Sequence, residues 1–279
     1  KTNIFLNFFI SKINDDKNNI KIIDLYQTMN SYLNYKFIFV NGLHRSGTSV
    51  LYRLLSLQKK CSGFTNTGVP EDEGQHLQSV FKAAKYFGGP GKFGFDRGSF
   101  LDSSSNLISN INREKLFNEW SKYWDLSKDF LVEKSPPNIV RTTFLQEMFS
   151  NSYFITIIRH PIAVSFATQK WSKNSLEDLF QHWLICNDKF KEDERKLTKT
   201  IIFKYEDFTS NHSEITHDIS KLLKFQLLIP TKFEIKDKIN DKYFELWDRY
   251  KNSFWTKRKA QILINKYEDK FNLYGYSLK

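Results

Sequence analysis

Two cysteines in 279 residues, Cys61 and Cys186, are too few for a disulfide framework, and their spacing suits no metal site. A reducing compartment is therefore expected. No apolar run reaches the roughly 18 residues needed to cross a bilayer. The nearest, "IFLNFFI" at residues 4–10, is too short. The chain opens without Met, which leaves room for a trimmed signal or anchor upstream of a protein otherwise expected in a bacterial-like cytoplasm. Internal repeats and low-complexity linkers are also missing, so nothing cuts the chain into units. Two further absences concern chemistry. The signature G-x-x-x-x-G-K-[ST] of the nucleoside triphosphatases has its lysine slot filled by Thr48, and no apolar strand ending in Asp stands out to hold magnesium. Both disfavour a kinase or ATPase.

What is present suits a packed α/β protein. Hydrophobic residues make up 40% and aromatics 16%, enough to exclude disorder as the starting assumption. The 26 Phe and 13 Tyr are spread along the chain, which suggests one continuous core. Formal net charge is +11, carried by 33 Lys against 9 Arg. Such an excess can be a solvated surface, or an attraction for nucleotides, acidic polysaccharides or lipid headgroups; a nucleic-acid partner is not expected.

Strand-like "KFIFVN" (36–41) leads through a glycine loop into a helix over 47–58. Residues 61–76 read as loop, followed by a helix from about Gly74 to Tyr86. The segment 87–99 holds five of the eleven glycines and reads as a mobile surface loop or as a lid over an acceptor site. A helix near 112–124, strand 130–134, helix 138–149 behind Pro136 and Pro137, strand 153–158 and helices 162–172 and 175–197 come next. Strand 199–205, a helix at 212–224 and two tail helices over 239–272 complete the chain. Short apolar strands separated by helices predict a P-loop-like three-layer α/β/α fold around a central, mainly parallel sheet. One domain is expected over 1–279, with its core at about 36–225, a helix at about 17–33 and a helical tail at about 239–279.

Ligands of such sheets gather at the carboxyl ends of strands, and three suggestive segments follow directly on strands. In "GLHRSGTS" (42–49), Gly42 and Gly47 let backbone N–H groups and a helix N-terminus surround an anion, with Thr48 and Ser49 adding hydroxyls; an ordinary βα turn is the plain alternative. Lys134, closing "FLVEK", can reach that anion or pair with Glu133. Arg159, after "YFITII", can fork onto a phosphate or form a surface ion pair. A fourth segment, "VPEDEGQHLQ" (69–78), is either acidic capping of a helix or the source of a general base. Three cations and a carboxylate at strand ends, with no metal cluster, suit sulfuryl transfer, whose low charge lets Arg, Lys and backbone amides stabilise it without magnesium.

These segments resemble, in order, those of sulfotransferases that use 3′-phosphoadenosine 5′-phosphosulfate, of the bacterial and protein-tyrosine type. "GLHRSGTS" is similar to the family's 5′-phosphosulfate loop, "LVEKSPP" to the strand end with the catalytic lysine, and "IIRHP" to the 3′-phosphate segment; the likeness runs from about Phe37 to Phe208. It implies that this donor is the co-substrate, that no metal is needed, and that an acceptor hydroxyl, expected on an anionic glycan, is sulfated; a tyrosine or small molecule is the alternative acceptor. By the same resemblance, Arg45 and Lys134 contact the moving sulfonate and bridging oxygen. Gly42, His44, Ser46, Gly47, Thr48 and Ser49 complete the donor loop, Arg159 holds the 3′-phosphate, Tyr205 lies near the nucleotide, and Lys257 and Arg258 return to it from the tail. Two positions depart from the pattern. Pro136 stands where cytosolic members place a histidine base, so Glu73 becomes the expected base with Glu71 and His76 in reserve. Ala167 replaces the usual 3′-phosphate serine, and its neighbours Ser165 and Thr168 are turned roughly 160–200° and 100° away. Competing readings are a non-catalytic nucleotide-binding module and a small-molecule kinase with a divergent loop.

Overall fold

The computed structural model describes residues 31–235 and 238–279. The helix expected over 17–33 lies outside them except for its end, where Ser31–Asn34 form one 3₁₀ turn. Five parallel strands make the sheet: β1 (Lys36–Asn41), β2 (Cys61–Gly63), β3 (Phe130–Lys134), β4 (Ser152–Ile158) and β5 (Thr200–Lys204), in the order β2-β3-β1-β4-β5. β1 lies between β3 and β4, and their registers bring their carboxyl ends level: Val40 faces Lys134 on one side and Ile155 on the other. This is the place in the sheet where the chain's crossovers diverge, and where loops leave a crevice.

Alternation along the strands sorts the core into two layers. Phe37 and Phe39 point into one, where Phe37 stacks on Phe149 with centroids 4.2 Å apart and Phe39 on Phe154 at 5.5 Å. Ile38 and Val40 point into the other, against Leu51, Leu54 and Leu55 of helix α1 (Thr48–Ser56). The first layer is covered by α2 (Asn110–Trp120), α3 (Thr142–Met148), α4 (Pro161–Ser172) and α5 (Leu176–Glu194). Helix α6 (Tyr205–Ser210) turns the chain after β5, and α7 (His212–Leu223) joins α1 on the second face. The tail helices α8 (Asp241–Asn252) and α9 (Lys257–Asn272) pack back on α5, with Phe271 edge-on to Phe180 and Trp183. Trp247 Nε1 donates to the Leu278 carbonyl at 2.7 Å, which ties down the last residues. No described helix is long and apolar enough to cross a membrane.

The expected three-layer fold is observed, with two local corrections. Cys61–Gly63, expected in a loop, adds an edge strand beside β3. The helix expected from Gly74 to Tyr86 is absent, replaced by short 3₁₀ turns at Pro70–Asp72, Gly74–His76 and Ala84–Phe87. Side chains take the N–H groups a helix would use. Gly74 N donates to Glu133, Gln75 N to Ser135, Ser79 N to Glu119, Val80 N and Phe81 N to Gln78, and Ala84 N to Gln75. Tertiary acceptors have overridden local propensity. The glycine-rich segment that follows is anchored at several points. Phe93 is fully buried, Asn174 Nδ2 donates to the Gly91 carbonyl at 2.9 Å, and the buried Arg141 donates from Nε to the Ser99 carbonyl at 2.8 Å.

Candidate active site

The loop after β1 is shaped by its two glycines. A Cβ on Gly42 (φ 146) would lie 2.5 Å from the Ile157 carbonyl, and one on Gly47 (φ 99) 2.5 Å from the Tyr205 ring. Neither position admits a side chain, so the backbone lies close against β4 and α6. Arg45 between them also takes a left-handed φ of 69. Gly47 then caps α1, and no side chain bonds to the helix's opening N–H groups. The N-terminus thus presents donors and a positive dipole end to the cavity in front of it.

That cavity, of about 310 Å3, is lined by His44, Arg45, Gly47, Thr48, Ser49 and Val50 from the loop and α1. Glu71, Glu73 and Pro136 line it from the segments around β3, Arg159 and Trp171 from β4 and α4, and Tyr205 from α6. The tail adds Ile239, Lys242 and Tyr243. All three suggestive strand ends therefore meet at one place. Ser46 is buried within the loop, its N–H bonded to the Leu43 carbonyl.

Arg159 is the most constrained cation. Its Nε donates to Asn240 Oδ1 at 2.8 Å, its Nη1 to the Arg45 carbonyl at 2.6 Å, and its guanidinium lies 4.2 Å from the Tyr205 ring centroid. Nη2 is buried and has no partner among the described residues. A guanidinium fixed on two edges and one face, with one donor unspent, is prepared for an anionic oxygen. Arg45 lies at the mouth, 4.5 Å over the half-exposed Trp171 ring.

Glu73 and Lys134 form a buried ion pair with Nζ and Oε1 3.3 Å apart. Glu73 lines the cavity and Lys134 stands behind it, almost fully enclosed. Glu133, the other partner considered for Lys134, points to the opposite side of the strand. It accepts from Gly74 N, Ser135 Oγ and Asn138 Nδ2, and Ser135 Oγ accepts from Gln75 N. These bonds clamp residues 74–75 and so place Glu73. Burial raises the Glu73 carboxyl above its usual value, opposed by the Lys134 charge and the 2.5 Å bond from Gln75 Nε2. Burial also pushes Glu133 up to about 7. Glu71 reaches the cavity too, but accepts from Ser49 Oγ at 3.0 Å. His76 Nε2 lies 3.9 Å from Glu73 without lining the cavity, and burial lowers its pKa.

Other expected residues are placed elsewhere. Ser165 and Thr168 turn their buried, unpartnered hydroxyls to a separate small cavity beside His44 and His182, so neither lines the one with Arg159. His44, which borders both cavities, is held neutral by burial, its pKa brought down to about 3. Lys257 and Arg258 open α9 on the exposed surface and do not line the cavity; Lys242 is the cation the tail brings there. Lys242, Tyr243 and Asn240 were missed because nothing local marks them. The only signal was an Asn ahead of a helical run, which suits a helix start equally well.

A parallel α/β sheet with an anion-binding glycine loop and converging cations defines a P-loop-like transferase. The sequence profile described as the Sulfotransferase family matches residues 38–227, more than half of the chain, and the protein belongs to that family. Among solved structures, the chain is similar to a sulfotransferase from Mycobacterium tuberculosis H37Rv at 14% identity and a TM-score of 0.50, over 74% of this chain and 72% of that one. It is also similar to a sulfotransferase from Alicyclobacillus acidocaldarius (15%, TM-score 0.44, 76% and 89%) and to a mouse sulfotransferase complexed with PAP (11%, 0.40, 81% and 71%). At these identities the likeness concerns the fold alone. No curated protein matches the chain.

Proposed function

We propose that the protein transfers a sulfuryl group from 3′-phosphoadenosine 5′-phosphosulfate to an acceptor hydroxyl at this cavity. The observation that carries the reading is the convergence of an uncapped helix N-terminus, the half-satisfied Arg159 and the buried Glu73–Lys134 pair on one crevice. The residues present fit the donor. Gly42 and Gly47 leave room for phosphate oxygens against the backbone, with Thr48 and Ser49 hydroxyls beside them, and Arg159 has a donor left for a second phosphate. The donor supplies an activated sulfonate and a leaving group stable as a dianion.

Glu73 takes the proton of the acceptor hydroxyl as its oxygen attacks sulfur, and the bond from sulfur to the phosphate's bridging oxygen breaks. Burial makes Glu73 a stronger base than an exposed carboxylate. Its pairing adds a coupling. A protonated Glu73 holds Lys134 less tightly, so the ammonium is released toward the crevice as negative charge grows on the departing oxygen. Arg45 and the loop N–H groups stabilise charge on the sulfonate and the 5′-phosphate. The acceptor is taken to be a carbohydrate hydroxyl on an anionic glycan, supported by the net charge of +11 and by Arg45 and Lys242 at the crevice.

Calorimetry with adenosine 3′,5′-bisphosphate and with ATP–magnesium, followed by transfer of labelled sulfonate to glycan, tyrosine-peptide and small-molecule acceptors, tests this. Micromolar binding of the bisphosphate and labelled glycan are expected. Preferential ATP–magnesium binding with phosphate transfer would refute the reading.

A further inference from the structure

We infer that Asn240 and Glu206 are positioning residues that aim Arg159, and thereby set preference for a nucleotide bearing a phosphate monoester at ribose 3′; this rests on the assignment of Arg159 in the reading above. Both lie apart from the segments that suggested the site, and Asn240 lies beyond the family-matched residues 38–227.

The case is one of direction. An Asn side chain offers an acceptor on one side and a donor on the other, and the two ends are similar in shape. Asn240 Nδ2 donates to Glu206 Oε1 at 2.6 Å. A carboxylate only accepts, so this bond turns the amide's NH2 toward Glu206 and its oxygen toward Arg159 Nε. Glu206 is fixed in turn. Its Oε1 also accepts from His160 N at 3.1 Å, and its Oε2 from the Tyr276 hydroxyl at 3.0 Å. The chain of bonds from Tyr276 through Glu206 and Asn240 ends on Arg159, every member oriented by the one before it.

With Nε and Nη1 occupied and Tyr205 on its face, Arg159 has no freedom to swing, and Nη2 is the donor left over. Without Asn240 the guanidinium keeps its charge but loses one edge of its frame. A group that still attracts anions but no longer forks in one direction discriminates less between phosphate positions.

The test is titration calorimetry of the full chain with adenosine 3′,5′-bisphosphate and adenosine 5′-monophosphate. Asn240→Leu should weaken the bisphosphate about tenfold, the loss of one hydrogen bond to a charged group, and leave the monophosphate within about twofold. Glu206→Gln, whose carbonyl can still accept from Asn240, should keep the wild-type preference, whereas Glu206→Ala should lose it as Asn240→Leu does. This Glu206 pair decides the matter even if Asn240→Leu melts early. An unchanged preference in both Asn240→Leu and Glu206→Ala overturns the inference. Parallel weakening of both nucleotides overturns it too, since that is what a merely structural role produces. If the wild-type chain does not distinguish the nucleotides at all, the assignment of Arg159 fails, and this inference with it.

Discussion

Replacing Lys134 with Met tests the buried pair most directly. The Lys134 side chain is 1% exposed and that of Glu73 8%, so neither charge can turn to water when the other is lost. Removing one partner of a buried pair costs about 3–5 kcal/mol, because the remaining charge is left desolvated. Glu73 has one way out, which is to take up a proton, at about 1.4 kcal/mol for each pH unit by which its pKa must rise. Lys134→Met should therefore lose about 3 kcal/mol or more at pH 8 and clearly less at pH 5. In Lys134→Met/Glu73→Gln no charge remains buried, and most of the loss should return. Urea unfolding of the wild type, both single variants and the double variant at the two pH values measures the cycle. Because Lys134 does not line the cavity, Lys134→Met should bind adenosine 3′,5′-bisphosphate nearly as the wild type does while losing most of its turnover. A single variant within about 1 kcal/mol of wild type at pH 8, or a double variant as unstable as Lys134→Met, would refute the reasoning.

Gly47→Ala forces a Cβ to within 2.5 Å of the Tyr205 ring in a backbone conformation hostile to side chains, so a loss of about 2–3 kcal/mol in stability is expected. Bisphosphate affinity should fall with it, because the displaced ring is the one stacked on Arg159; a variant with wild-type melting and affinity would show that the loop is looser than described. The acid limb of kcat should lie above the usual carboxylate value of 4.5, since Glu73 must be ionised to act and burial raises its pKa; a limb near 4 would exclude Glu73 as the base. For Glu133 the sign concerns stability. The folded protein keeps this proton up to about pH 7 and the unfolded chain releases it near 4.5, so stability contributed by the neutral group declines as pH rises through that window, by up to ~3 kcal/mol. Glu133→Gln should flatten the difference between unfolding at pH 5 and pH 8, and parallel pH profiles for variant and wild type would count against the assignment.

The donor side of the site was legible because it is local. A strand, two glycines five residues apart and a helix start lie within fourteen residues, and the physics that makes them an anion cradle acts over the same distance. The same holds for Arg159 after β4 and Lys134 at the end of β3, where alternation and apolar runs give the strand ends directly. Glu73 was found, but for the wrong local reason. Its segment was expected to be a helix, and it is instead held extended by Glu133 and Ser135, side chains some sixty residues away.

The order of apolar and polar residues by itself determined the layered sheet, the positions of its crossovers and the loop that ends β1, since each follows from short-range periodicity and backbone sterics. Only the tertiary structure decided which cation comes from the tail, that Lys134 pairs with Glu73 and not with its neighbour Glu133, and that Asn240 frames Arg159. Those choices depend on which groups become buried together. A buried charge or donor must find its partner wherever the fold brings one, and nothing in the neighbouring residues records where that is.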